Sequence, residues 1–136
     1  MEEKKETEVK YATKADLNEK HLFEKDVEIE YDSDGQGTMK KLLFRIKQMD
    51  VNEHEESQSA ATKEGLKTDE RLRAMNDGLI AEGVVKPVMD GTMINNLRTN
   101  FPAGVYDHLL EEIQYYSGFH AMQMVAAKNM VAPKSQ

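Results

Sequence analysis

The sequence contains no cysteine and no tryptophan, and only 7% of its residues are aromatic. Without cysteine the chain can form neither disulfides nor thiolate sites, which fits a cytosolic protein. No apolar run is long enough to span a bilayer, and the charged N-terminus lacks the apolar segment of a signal peptide. We therefore expect a soluble protein of the cytoplasm that does not bind membranes.

The charge balance is acidic, with 25 acidic against 18 basic residues and a net charge of −7. Because phosphate binding relies on clustered Lys and Arg, this balance argues against nucleic acid as a partner. At 136 residues the chain is the size of one domain. Its nine methionines predict an adaptable core or an adaptable contact surface.

Motifs for catalysis are lacking. There is no Gly-rich phosphate loop and no His-Glu-x-x-His zinc pair, and the four histidines (His21, His54, His108, His120) are scattered. Glu111 and Glu112 are adjacent, so on a helix they diverge by about 100° and cannot work as an acid–base pair. We predict no catalytic residue, no cofactor and no metal, and a protein that is not an enzyme.

A calcium loop is the one metal site that the spacing suggests. Asp32, Asp34 and Gln36 stand at the first, third and fifth positions of such a loop, but Leu43 occupies the twelfth, where a bidentate Glu is needed. A hairpin turn explains the same residues better.

Period-two patterns flank that turn. Val27, Ile29 and Tyr31 alternate with acidic residues, and Leu42, Phe44 and Ile46 alternate with mostly basic ones. The stretch between them is rich in residues that tolerate positive φ. The pattern predicts an antiparallel hairpin over residues 23–49, with an acidic outer face opposite a basic one.

The chain then turns helical over residues 51–130. Residues 51–64 read as an exposed helix or a mobile loop. Thr68 is predicted to cap a helix that ends near Gly83, and Thr92 a shorter one, with Val84, Val85 and Pro87 as an extended connection between them. The side chains predicted to face inward from these two helices are Leu72, Met75, Leu79, Ile80, Met93, Ile94 and Leu97.

The clearest helix begins at Pro102, whose φ already suits a first turn. Its predicted buried stripe, which Leu110 widens, consists of Val105, Leu109, Ile113 and Tyr116. Gly118 is placed to form a left-handed cap, after which Phe119 folds back on the last turn. A last helix is predicted from Phe119 to Met130.

Together these elements predict an α+β fold, with an N-terminal antiparallel β-hairpin packed on a C-terminal bundle of about four to five helices. Residues 21–131 form the single domain and 132–136 a flexible tail. Residues 1–20 read as a flexible acidic arm, or as an arm that orders against a neighbouring subunit.

One stretch resembles a known family. Its matching residues are Phe101, Pro102, Tyr106, Leu109, Leu110, Glu111, Gly118 and Phe119. This pattern resembles the C-terminal part of the tail assembly chaperones of long-tailed (siphovirus-type) bacteriophages and Gram-positive prophages, loosely over residues 24–120. The resemblance implies a chaperone that binds the tape measure protein and keeps it soluble during virion assembly, while tail tube protein polymerises around it. It also implies a homo-oligomer.

The partner-binding residues that we predict are Tyr115, Tyr116, Phe119, Met122 and Met124. Core packing is the alternative role for the aromatic members of this group. Replacing Phe119 and Met122 with polar residues should weaken tape measure binding and leave the fold intact. Two other functions fit the same pattern: a tail or head–tail structural protein retained in the virion, and a small acidic regulatory binding protein.

Overall fold

A computed structural model describes residues 9–119 and has the expected α+β architecture. Its elements are α1 (Lys14–Asn18), β1 (Glu24–Asp32), β2 (Met39–Lys47), α2 (Val51–Ser57), a 3-10 helix (Ser59–Thr62), α3 (Thr68–Gly83), β3 (Val84–Lys86), α4 (Gly91–Asn100) and α5 (Ala103–Tyr116). The helix predicted from Phe119 to Met130 lies outside the described residues, apart from Phe119 itself.

The predicted hairpin is confirmed. β1 and β2 pair antiparallel, with Val27 opposite Phe44 and both side chains buried. On the outer face Arg45 donates to the carboxylates of Glu24, at 2.8 Å, and Asp26, at 3.1 Å, so the acidic and basic faces pair as expected. Such exposed pairs each add only modest stability.

The sheet has a third strand that the sequence pattern does not predict. Val84–Lys86, expected to be a connection, forms β3 and pairs antiparallel with β2, giving the order β1-β2-β3. Val84 lies opposite Ile46, and both side chains are buried. The strand ends at Pro87, which has no N–H to donate to a ladder and is joined to Lys86 by a cis peptide bond.

Residues 51–64 are mostly helical and mostly exposed, as the exposed-helix interpretation expects, but they are fixed on α3 by two buried side chains. α2 and the 3-10 helix bury Ser57 and Ala61 against α3. A Cβ added to Gly78 of α3 would lie 1.7 Å from the carbonyl oxygen of Ser57, so the close contact requires glycine. Small residues make this contact, so no large apolar stripe in the sequence indicates it.

Three predicted inward-facing side chains are in fact exposed. In α3 Leu79 and Ile80 are buried as expected, but Leu72 is 56% exposed and Met75 38%. In α4 Ile94 and Leu97 are buried, whereas Met93 is 38% exposed. The first half of α3 packs on the 3-10 helix instead of the main core, and Met93 borders a surface groove.

Helix starts are shifted by one or two residues from the predicted caps. Asp90, not Thr92, caps α4, because its carboxylate accepts the N–H of Met93 at 2.9 Å. Thr68 is the first residue of α3, and its cap is Lys67, whose backbone N–H donates to Glu70 at 3.0 Å. Pro102 is the cap of α5, one residue before the helix begins.

α5 carries the predicted stripe into the core. Val105, Leu109 and Ile113 are buried, and Tyr116 and Leu110 pack beside them. Gly118 has a φ of 89°, and the N–H of Phe119 returns to the carbonyl of Gln114 at 3.0 Å, which completes the predicted cap.

Gln48 joins the two halves of the fold. Its backbone N–H donates to the Phe23 carbonyl at 2.9 Å, and its side-chain oxygen accepts the Phe23 N–H at 2.9 Å. Its side-chain nitrogen donates to the carbonyl of Tyr116 at 3.2 Å. The start of β1, the end of β2 and the end of α5 are therefore held together.

Candidate functional site: an apolar groove beside an open strand edge

An apolar groove of about 340 Å³ runs between β2 and α4. We call it the β2–α4 groove and define it by Leu42, Leu43, Phe44, Met93, Leu97 and Phe101. Pro87 and Met89, which follow β3, also line it. A volume of about 300 to 1,000 Å³ is typical of ligand pockets. The groove can therefore take up apolar side chains from a partner.

One side of the groove is an open strand edge. β3 pairs with β2 only at Arg45 and Ile46. From Met39 to Phe44, β2 pairs with β1 on one side, and within residues 9–119 no strand pairs with its other side. An unpaired edge offers backbone N–H and C=O groups to an added strand. The groove thus combines apolar walls with backbone hydrogen-bonding groups.

Exposed apolar side chains border the groove. Leu43 points to the outer side of β2 and is 60% exposed, and Met93 stands on the α4 side. Phe101 lines it too, and its ring packs edge-on against Tyr31 with 5.1 Å between the centroids. One side of the groove is therefore held by the packing of Phe101 on Tyr31, and the flexible side chain of Met93 lies on another side.

A polar cluster fixes the helix that forms this wall. Arg98 of α4 donates to Asp77 of α3 through Nε at 2.9 Å and Nη2 at 2.7 Å. The buried Tyr106 of α5 donates its hydroxyl to the same Asp77 oxygen at 2.5 Å and accepts from Arg98 Nη2 at 2.9 Å. Burial and the bond to Asp77 raise the pKa of the Tyr106 hydroxyl well above its usual range. Three helices are therefore held in one arrangement by charge-assisted hydrogen bonds.

The predicted partner-binding residues lie elsewhere. Tyr115 is exposed, while Tyr116 packs against the core beneath Lys25 of β1, whose Nζ is 4.6 Å from the ring centroid. Phe119 is half-buried, with its ring centroid 4.6 Å from that of His54 in α2. Met122 and Met124 are outside the described residues. The three aromatic residues follow one another closely at the end of α5, and none of them lines the groove.

The hairpin loop uses its carboxylates within the loop. Asp32 accepts the N–H groups of Gly35 and Gly37 at 2.9 and 3.0 Å, and Asp34 accepts that of Gln36 at 2.8 Å. Hydrogen bonds from Thr38 and Gln36 lower the pKa of Asp34 to about 2. The residues at the positions of a calcium loop therefore form hydrogen bonds that shape the turn, as the hairpin interpretation expects.

Within the described part of the chain, no cluster of three or more His, Asp or Glu residues could hold a metal ion. His108 lies at the surface of α5, with Nε2 3.4 Å from Glu112. Across residues 9–119 no helix is long and apolar enough to cross a membrane.

Comparisons with protein-family models, curated proteins and solved structures find no match for this chain. The β2–α4 groove could not have been found from the sequence, because it depends on where β3 stops and on which side of α4 faces β2.

Proposed function

We propose that this protein is a tail assembly chaperone of a long-tailed bacteriophage or prophage, acting in the cytoplasm of the bacterial host. Its partner is the tape measure protein, which it keeps soluble while the tail tube protein polymerises. The resemblance centred on residues 101–119 suggests this role. The observation that supports it is the β2–α4 groove, an exposed apolar site on a rigid frame.

The chemistry of the groove suits a long helical partner. An amphipathic helix binds a groove through apolar side chains on one face, spaced three or four residues apart. Met89 and Met93 can repack against different side chains, so many similar segments of one long protein can bind in turn. The acidic charge of the chain keeps it from binding the phage nucleic acid instead.

The test is co-expression with the tape measure protein of the same phage, followed by purification of this chain. We expect the long protein to become soluble and to co-purify. If it stays insoluble and unbound, the chaperone proposal is wrong. Detection of this chain in purified virions would then support the structural-protein alternative.

Paired variants locate the binding surface. Leu43→Gln with Met93→Gln removes apolar contacts from the groove. Leu72→Gln with Met75→Gln is the matched control on α3, because those side chains are exposed to nearly the same extents. Each buried apolar side chain contributes about 1.5 to 3 kcal/mol, so we expect the groove pair to weaken binding by a factor of about 10 or more. The control pair should bind as the wild type does.

A third pair of substitutions tests the predicted surface at the end of α5. If Phe119 and Met122 changed to serine weaken tape measure binding and the groove pair does not, the partner binds there and the groove assignment is wrong. Because the ring of Phe119 contacts His54, the unfolding temperature of each variant must be measured alongside binding.

A further inference from the structure

The N-terminal arm exposes large apolar side chains. Val9 is 90% exposed and Tyr11 96%, and the chain at residues 9–13 has no helix or strand of its own. Thr13, which caps α1, has the extended dihedrals φ −104° and ψ 167°. In an extended chain, side chains two residues apart point to the same side. Val9 and Tyr11 can therefore form one apolar face of a strand.

The groove complements this segment in shape and chemistry. The inward side of the open β2 edge carries Leu42 and Phe44, and Met93 faces them from α4. A strand added to that edge would place every second side chain in the groove, next to these residues. Its other side chains would lie on the outer side of the sheet, beside Leu43.

We propose that residues 9–13 of one copy of this chain add as a strand to the open edge of β2 in a second copy. Backbone N–H and C=O groups pair with those of Met39 to Phe44, while Val9 and Tyr11 enter the β2–α4 groove. Lys10 and Ala12 then point outward. The arm and the tape measure protein therefore compete for this groove, and a tape measure segment binds there by displacing the arm. This contact between copies joins two different surfaces, so further copies can add one after another. An open row of copies has a free arm at one end and a free groove at the other, whereas a closed ring has neither.

The geometry favours a second copy over the same chain. The N–H and carbonyl of Phe23 are bound to Gln48, which fixes the root of the arm on the β1 side of β2. The groove lies along the opposite edge of β2, the edge that faces away from β1. To reach its own groove, the arm would have to cross the sheet. In the structure of the single chain, Val9 and Tyr11 remain exposed.

Charge supports the same pairing. The eight residues before Val9 contain four glutamates and two lysines. Lys40 of β2 and Lys86 of β3 stand towards the two ends of the open edge, and both are exposed. An acidic segment that approaches this edge is therefore attracted to it, and high salt should weaken the attraction.

Cross-linking between chains tests the proposal directly, because the natural sequence has no cysteine. Lys10→Cys and Leu43→Cys chains are mixed in urea, refolded together and treated with a short bis-maleimide. We expect a covalent dimer. The matched control mixes Lys10→Cys with Leu72→Cys, a leucine on α3 that is exposed to a similar extent, and should give little dimer. Equal yields from both mixtures would contradict the assignment of the groove.

A single chain that carries both Lys10→Cys and Leu43→Cys tests whether the arm fills the groove of its own chain. If it cross-links to a compact monomer at low concentration, and the mixed chains give no dimer, the arm fills its own groove and the proposal is wrong.

Mass measurement supplies an independent readout. By analytical ultracentrifugation we expect the wild-type chain to associate as its concentration rises, and Val9→Ser with Tyr11→Ser to shift the association to at least about tenfold higher concentration. Leu17→Ser, an exposed change in α1, should behave as the wild type. A wild-type chain that stays monomeric at all concentrations would overturn the proposal. These experiments need only the purified chain, so their failure leaves the chaperone proposal standing.

Discussion

Replacing Gly78 with alanine tests the packing of α2 on α3. The added Cβ would lie 1.7 Å from the Ser57 carbonyl oxygen and 2.8 Å from its carbonyl carbon. Non-bonded heavy atoms attract best at about 3.5 to 4 Å, so the end of α2 must move by roughly 1.5 Å or more. The contacted atoms are backbone, so no side-chain rotation can relieve the overlap.

The expected cost follows from opposing effects. In an open helix, glycine to alanine gains about 0.5 to 1 kcal/mol. Overpacking costs about 1 to 3 kcal/mol. Movement of α2 and the 3-10 helix also strains the bond from Gln58 to the Met75 carbonyl and that from Arg71 to the Ala61 carbonyl, each worth about 0.5 to 1.5 kcal/mol. We expect a net loss of about 1 to 3 kcal/mol, which lowers the unfolding temperature by roughly 4 to 12 °C.

The assay is thermal and urea unfolding followed by circular dichroism. Gly104→Ala is the matched control, because it also lies in a helix and a Cβ there would meet nothing within 4 Å. The control should raise the unfolding temperature slightly. If Gly78→Ala raises it as well, the close approach of Ser57 is not present in the protein and the reasoning fails.

Two further predictions concern the polar groups. Tyr106→Phe removes the hydroxyl that donates to Asp77 but keeps the ion pair with Arg98, so urea unfolding should show a loss of about 1 to 3 kcal/mol; an unchanged midpoint would mean that the hydroxyl contributes nothing. Asp34 has a pKa of about 2 in the folded chain, below its ordinary value of 3.8, so its contribution to stability is present above that value and is lost as the pH falls towards 2. The wild-type unfolding temperature should therefore drop more steeply from about pH 4 to 2 than that of Asp34→Asn, and parallel curves would contradict the shift.

The hairpin and α5 could be predicted because their signals are local. Alternating residues and a turn specify β1 and β2, and a stripe between Pro102 and Gly118 specifies α5. The third strand could not, because Val84–Lys86 is too short to show a period. It becomes a strand by pairing with Arg45 and Ile46, about 40 residues earlier in the sequence.

Which sides of α3 and α4 are buried could be predicted only in part, for a related reason. Periodicity shows that a helix has an apolar side, but does not show what covers each turn. Ser57 and Ala61 pack against part of α3, whereas Leu72 and Met75 remain exposed. Met93 lies beside the β2–α4 groove, where β3 has already ended. A site formed by the end of one strand and the side of one helix has no local sequence signal.

The junction at Gln48 has a consequence for the order of folding. The hairpin can close locally, but the helix that covers its apolar face binds it through contacts 68 residues away, from Gln48 to Tyr116, and 87 residues away, from Lys25 to Glu112. An isolated hairpin is only marginally stable in water. Early in folding it should therefore form and reopen many times, and become permanent only when α5 arrives. Distant contacts of this kind slow folding because a long loop must close before they form. The rate at which the chain folds should thus depend on the capture of α5, and not on the speed of its hairpin.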